Sequence, residues 1–70
     1  MEQALRLRFS KNVRRYRAIR KLTQQRLAEL ADIEYKYLQR LEGKKPPAVK
    51  IDTIARLARA LKTTPAKLLA

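Results

Sequence analysis

The sequence predicts an all-α domain of five short helices. Apolar residues recur at spacings of three and four, which is the period of an amphipathic helix, and no stretch predicts a strand. The breaks between these patterns carry residues that cap helices or form turns. Seventy residues with no internal repeat or linker indicate one domain over residues 1–70. Within it, residues 1–8 either extend the first helix or are disordered.

The first helical pattern covers residues 4–20, which contain no glycine or proline. Its apolar residues are spaced by four, four and three positions and predict one buried face: Leu5, Phe9, Val13 and Tyr16. Eight lysines and arginines between positions 6 and 21 cover most of the remaining surface. Because like charges on one helix repel each other, we expect this helix to depend on packing against the others.

A second helix is predicted over residues 24–31. The Thr23 hydroxyl is a good N-cap because it can accept a hydrogen bond from one of the first backbone amides. Leu27, Ala28 and Ala31 fall on the inward side. The small Ala28 suits close approach of another helix, although alanine is also a good helix former in its own right.

The third helix is predicted over residues 35–42, after a break at residues 32–34 that contains neither glycine nor proline. Leu38 and Leu41 point inward. The outward surface is therefore rich in hydrogen-bond donors of the types that bind base edges and phosphates: Tyr35, Lys36, Gln39 and Arg40. Gly43 is predicted to end this helix as a C′ glycine.

Two further helices follow an extended loop that the prolines at 46–47 favour. The fourth helix is predicted over residues 51–61, with an inward side formed by Ile51, Ile54, Leu57 and Leu61. Thr64 is placed as the N-cap of the last helix and Pro65 as its first residue, and the helix runs to Leu69.

The charge balance indicates a polyanionic partner. Lysine and arginine number 18 against 6 acidic residues, which gives a formal net charge of +12. Solubility does not require such an excess, and the excess costs self-repulsion. Nucleic acid is the first candidate and an anionic membrane the second, and charge alone does not separate DNA from RNA. No apolar run approaches the roughly 20 residues of a membrane span.

Several kinds of chemistry lack their usual residues. The chain has no cysteine and no histidine, so disulfides, thiolate chemistry and histidine-based catalysis are excluded and a zinc site is hard to build. With one glycine, it also lacks a glycine-rich phosphate loop. We therefore expect no enzyme, no metal and no cofactor. The N-terminus lacks the apolar region of a signal peptide, and we expect a cytoplasmic protein associated with the nucleoid.

The stretch from Leu22 to Gly43 carries a pattern that is specific when all its parts are present. The parts are Thr-Gln opening the second helix, Leu-Ala within it, an apolar residue at the turn and Leu-Glu in the third helix: Thr23-Gln24, Leu27-Ala28, Ile33 and Leu41-Glu42. Together with Arg17, this pattern resembles the phage-repressor and Cro type of helix-turn-helix, also called the Xre family. The resemblance implies a compact five-helix, repressor-like DNA-binding domain with the helix-turn-helix at helices 2 and 3.

The resemblance also implies roles for individual residues. Four side chains of the third helix fall where the family contacts bases: Tyr35, Lys36, Gln39 and Arg40. Four others fall at or near positions that contact DNA phosphates: Thr23, Gln24, Lys44 and Lys45. Arg17 and Glu42 match a structural ion pair between the first and third helices. The chain departs from the family at the turn, where Asp32 replaces a common glycine and Glu34 replaces a small N-cap residue.

We therefore expect a sequence-specific regulator of transcription, of the repressor kind, that binds double-stranded DNA. Its third helix would lie in the major groove of an operator half-site, and a homodimer would bind a near-palindromic operator. Two alternatives stay open: a cationic RNA-binding module, and a protein-interaction module such as an antitoxin that keeps the fold. Dimerisation would use the exposed side of the C-terminal helices, unless the chain is a piece of a longer protein.

Overall fold

In the computed structural model, which describes residues 2–70, the chain forms five α-helices and the described residues contain no strand. The helices are α1 (Glu2–Ile19), α2 (Gln24–Ala31), α3 (Tyr35–Leu41), α4 (Ile51–Ala60) and α5 (Pro65–Leu69). The predicted all-α architecture of five helices is confirmed. Residues 2–8 continue α1, whereas Met1 lies outside the described residues. Within residues 2–70, no helix is both long and apolar enough to cross a membrane.

All five helices contribute to one hydrophobic core. Its centre consists of six leucines with no exposed surface: Leu27, Leu38, Leu41, Leu57, Leu61 and Leu68. Burial of each such side chain stabilises the fold by roughly 1.5–3 kcal/mol. Phe9 and Val13 of α1 close the core from one side. Ala28 and Ala31 are also buried, and their short side chains allow α2 to pack closely on its neighbours.

Two residues predicted to face inward lie largely at the surface. Ile51 is 83% exposed because it is the first residue of α4, and the buried side of that helix begins only at Thr53. Leu5 is 44% exposed, since the first buried residue of α1 is Phe9, one turn further along. Both residues fit the apolar spacing of their helices. They are nevertheless exposed, because each lies at a helix end that extends beyond the packed core.

Three helices end in the left-handed backbone conformation without a glycine. Lys21, Asp32 and Lys62 have φ angles of 56°, 57° and 56° and follow α1, α2 and α4. At each end, the next residue donates its backbone N–H to the carbonyl five positions earlier, as Leu22 does to Arg17 at 3.0 Å. This hydrogen bond is the signature of a Schellman motif.

Gly43 follows the C-cap residue of α3, as predicted for a C′ glycine, but it does not adopt the left-handed conformation that is common at this position. No glycine has a positive φ among the described residues. The last helical residue of α3 is Leu41, and its C-cap Glu42 has a φ of −88°. The Gly43 N–H donates to the Arg40 carbonyl at 3.1 Å. A Cβ atom at Gly43 would lie 3.3 Å from that carbonyl oxygen, which is a tight contact. Close approach of the backbone therefore favours glycine here.

Two of the helix starts are fixed by their own side chains. Thr23 Oγ1 accepts a hydrogen bond from the Arg26 N–H at 3.0 Å, and Thr64 Oγ1 accepts one from the Lys67 N–H at 3.2 Å. Glu34 precedes α3 without a capping hydrogen bond from its side chain. The start of α3 therefore depends on packing rather than on a local cap.

Replacement of Lys62 tests whether its left-handed backbone conformation lowers the stability of the protein. Lys62→Gly removes a Cβ from a conformation that costs an L-residue about 1–2 kcal/mol, offset in part by the flexibility of glycine. We expect a net gain in the free energy of unfolding of about 0.5–1 kcal/mol, measured by urea denaturation. Lys62→Ala removes the same charge and keeps the Cβ. An equal gain in both variants would attribute the effect to charge and contradict the backbone explanation.

Candidate nucleic-acid interface

The carboxylate of Glu42, at the end of α3, joins the first three helices. Its side chain is 2% exposed. It accepts hydrogen bonds from Arg17 Nε at 2.8 Å, Arg17 Nη2 at 3.0 Å and Gln24 Nε2 at 2.9 Å. Because Arg17 lies on α1 and Gln24 begins α2, one buried carboxylate links three helices. A buried charge with this many donors is compensated, whereas an unpaired one would be costly.

A second set of contacts fixes α1 against the end of α3. Arg14 Nη1 donates to the Glu42 backbone carbonyl at 2.6 Å, and Ser10 Oγ donates to the Gly43 carbonyl at 3.4 Å. Arg17 also uses its remaining nitrogen, since Nη1 donates to the Leu22 carbonyl at 2.9 Å. The orientation of α3 is therefore set at its C-terminal end, which leaves its outer side uncovered.

The corner between α2 and α3 is built without glycine. Asp32 takes the left-handed conformation, and the Ile33 N–H donates to the Ala28 carbonyl at 3.0 Å. The partly buried side chain of Ile33 packs against the core. Asp32 is one of the residue types that tolerate this backbone region. The departure from the family pattern at this position therefore preserves a tight turn.

The four predicted base-contacting side chains lie together on the exposed side of α3. Tyr35 is 43% exposed, and the other three are also exposed: Lys36, Gln39 and Arg40. Positions 35, 36, 39 and 40 are neighbours on a helix surface because side chains three or four residues apart lie on one side. None of the four side chains forms a hydrogen bond or ion pair within residues 2–70. Their donors and acceptors are therefore available to a ligand.

The predicted phosphate-contacting residues lie at the start of α2 and shortly after α3. The bond from Gln24 to Glu42 brings the start of α2 next to the end of α3, and Lys44 and Lys45 follow Gly43 in the chain. Both lysines are exposed. Thr23 is exposed as well, although its hydroxyl already accepts the capping bond from Arg26. Gln24 is half-buried, and its amide retains a second N–H beyond the bond to Glu42.

Comparison with protein families adds the deciding observation. The model of the Cro/C1-type helix-turn-helix DNA-binding domain matches residues 12–70. The chain belongs to this family. Residues 2–11, the N-terminal part of α1, lie outside the match.

Two solved structures resemble this Cro/C1-type domain over nearly its whole length. The restriction-modification controller protein C.AhdI from Aeromonas hydrophila is 29% identical, with a TM-score of 0.85 over 93% of this chain and 97% of the controller. The hypothetical transcription factor NHTF from Neisseria is 27% identical, with a TM-score of 0.90 over 100% of this chain and 79% of that factor. A comparison with curated protein sequences gives no match.

Sequence reasoning missed several long-range contacts that hold this domain together. Arg20 donates from Nε to the Leu61 carbonyl at 2.9 Å and from Nη2 to the Lys62 carbonyl at 3.1 Å. Asn12 Nδ2 donates to the Leu68 carbonyl at 2.9 Å, which attaches α1 to α5. Such bonds to backbone carbonyls have no sequence period, so no pattern indicated them. Within residues 2–70, no group of three potential metal ligands is present.

The Glu42 cluster predicts a large loss of stability when its carboxylate is removed. Glu42→Ala leaves the Arg17 guanidinium without its charged partner, and we expect a decrease in the free energy of unfolding of about 3 kcal/mol in urea denaturation. Glu29→Ala is the matched control, because its pair with Arg26 spans 3.2 Å between side chains that are 58% and 59% exposed. Loss of that exposed pair costs roughly 0–0.5 kcal/mol. Similar values for both variants would contradict a structural role for the buried pair.

Proposed function

We propose that this protein is a sequence-specific regulator that represses transcription by occupying an operator in double-stranded DNA. The observation that carries the proposal is the set of unpaired polar side chains on the outer side of α3, with cations at its end. The family is one of DNA-binding domains. The two similar structures, a restriction-modification controller and a hypothetical transcription factor, support a regulatory role. The protein would act in the cytoplasm, at the nucleoid, by occupancy and without covalent chemistry.

In this proposal α3 lies in the major groove and its exposed side reads bases. Arg40 is the candidate for a bidentate contact with guanine O6 and N7, which contributes about 1–3 kcal/mol of discrimination. Lys36 and Gln39 supply further donors, and Gln39 also offers an acceptor. Tyr35 would contact a thymine methyl group or a phosphate. The rigid attachment of α3 through Glu42 would keep these side chains in a fixed register on the duplex.

Phosphate contacts would fix the position of α3 in the groove. Gln24 is the first residue of α2, an eight-residue helix whose N-terminal amides and dipole favour an anion. Thr23 precedes it, and Lys44 and Lys45 would bind phosphates beside the end of α3. These contacts supply affinity that does not depend on sequence, whereas α3 supplies the specificity.

The size of α3 favours a homodimer. Seven helical residues with four outward side chains span only a few base pairs. A symmetric dimer doubles the recognised sequence, and two-fold symmetry requires a near-palindromic operator. The centres of the half-sites would then lie about one helical turn apart, roughly 34–36 Å.

The alternatives are less well supported. Single-stranded RNA recognition commonly uses aromatic side chains as stacking platforms. Here Tyr16 and Tyr37 pack against the core, which leaves Tyr35 as the exposed tyrosine of the described residues. A module that binds only proteins would not need the exposed cations that remain on and beside α3. Duplex DNA is therefore the partner that the surface fits best.

Selection of bound sequences from a pool of random DNA duplexes tests this function. The wild-type protein should enrich a near-palindrome with half-sites about one helical turn apart. Arg40→Ala should relax the preference at one position of each half-site, whereas Lys44→Ala should weaken binding to all sequences and keep the preference. No enrichment by the wild-type protein would contradict sequence-specific binding. A single unpaired site would contradict the dimer, and equal effects of the two variants would contradict the role of Arg40.

A further inference from the structure

We propose that Arg14 binds a DNA phosphate, so that the interface extends from the helix-turn-helix onto α1. This inference rests on the proposed binding of duplex DNA. Arg14 lies outside the residues that the family pattern indicates. Three observations support it: the arginine is anchored, most of its donors are unused, and it bonds the same residue, Glu42, as the candidate phosphate contact Gln24.

The guanidinium of Arg14 is held in place at one nitrogen. Nη1 donates to the Glu42 carbonyl at 2.6 Å, while Nε and Nη2 form no hydrogen bond within residues 2–70. The residue is exposed. By contrast, Arg17 uses all three of its nitrogens inside the protein. An arginine that is fixed by one bond and has an unused pair of donors is preorganised for a phosphate, which suits bidentate binding.

Arg14 shares its partner residue, Glu42, with one of the predicted phosphate contacts, Gln24. Glu42 binds Arg14 through its backbone carbonyl and Gln24 through its carboxylate. Lys44 follows two residues later in the chain. Arg14 and Gln24 therefore both contact Glu42, and Lys44 and Lys45 lie two and three residues further along the chain.

The C-terminal end of α3 carries negative charge that an arginine can compensate. The C-terminal end of a helix carries a partial negative charge, and Glu42 adds a carboxylate at the same place. A phosphate would be repelled there without compensation. Arg17 pairs with the carboxylate, and Arg14 caps the carbonyl. The charge of Arg14 thereby favours an anion at the C-terminal end of α3, a few residues before Lys44 and Lys45 in the chain.

Arg15 is the matched control for Arg14. It carries the same charge, is exposed and forms no hydrogen bond or ion pair within the described residues. On a helix with 3.6 residues per turn, the side chain of Arg15 is rotated by about 100° around the helix axis relative to that of Arg14. This places Arg15 away from the side of α1 that contacts α3, so Arg15→Gln changes the net charge without removing the proposed contact.

The experiment measures binding to a fluorescently labelled duplex of mixed sequence at several salt concentrations. Each phosphate contact contributes about 0.9 to the slope of log affinity against log salt. Arg14→Gln should reduce the magnitude of this slope by about 1 and weaken binding several-fold, whereas Arg15→Gln should leave the slope at its wild-type value. Arg14→Lys keeps the charge and should retain most of the slope. Thermal melting is recorded for every variant.

Three results would overturn the proposal. In the first, Arg14→Gln and Arg15→Gln change the slope equally, which indicates general electrostatics. In the second, Arg14→Gln lowers the melting temperature but keeps the wild-type slope, which indicates a helix cap only. In the third, the wild-type protein shows no salt-dependent binding, which contradicts the proposed function itself. If Arg14→Gln does not fold, the test uses the NMR resonance of the Arg14 Nε–H group in the wild-type protein. This resonance should shift on addition of the duplex. An unchanged resonance would contradict the contact.

Discussion

The hydrogen bonds of the buried Glu42 carboxylate are the interaction on which the placement of α3 depends. Its acceptors bind Arg17 of α1 and Gln24 of α2, and the residue itself ends α3. The cluster adds little net stability if the Coulomb attraction between its charges only offsets the free energy of their desolvation. Removal of one partner is nevertheless costly, because it leaves the other charge without compensation. Its main effect is therefore geometric. It fixes the C-terminal end of α3 against two other helices and leaves the outer side of α3 open.

In the proposed complex, the same cluster would connect stability to DNA binding. Gln24 would have two roles, because its amide donates to Glu42 and its position at the start of α2 suits a phosphate. Arg14 is similar, since it caps the end of α3 and keeps donors for a second phosphate. A phosphate bound at either residue would therefore contact a side chain that is already held in place. Preorganisation of this kind lowers the entropy cost of binding.

The high positive charge has more than one explanation. Arg17 and Arg20 bind carbonyl oxygens and a carboxylate inside the protein, and they connect α1 to the turn after it and to the end of α4. Other cations remain exposed on α3 and in the loop that follows it. The net charge of +12 thus combines structural arginines with a surface suited to a polyanion. Composition alone does not separate the two groups, because the distinction depends on which carbonyls each guanidinium reaches.

Much of the fold followed from local sequence signals. The predicted second helix, residues 24–31, agrees with the structure because Thr23 caps it and its apolar residues repeat regularly. The side of α3 that carries Tyr35 and Arg40 was predictable for the same reason, since burial of Leu38 and Leu41 leaves that side outward.

The remaining features depend on tertiary contacts. The exposure of Ile51 follows from where α4 begins relative to the core. The left-handed residues Lys21 and Lys62 have no glycine to indicate them. The bond of Arg14 joins residues 28 positions apart and has no periodic pattern. The contacts that most refine the candidate site were therefore the least visible in the sequence.

In the proposed complex, Glu42 and its donors present the outer side of α3 to duplex DNA. The most direct measurement is a titration of the isotopically labelled protein with a DNA duplex, followed by the NMR resonances of its backbone amides and of the Gln24 side-chain amide. The largest shifts are expected in α3, at the start of α2 and at Lys44 and Lys45, because these residues would lie against the duplex. Shifts concentrated on the exposed side of α1 around Arg8 and Arg15, with the resonances of α3 unchanged, would contradict the placement of α3 against the duplex.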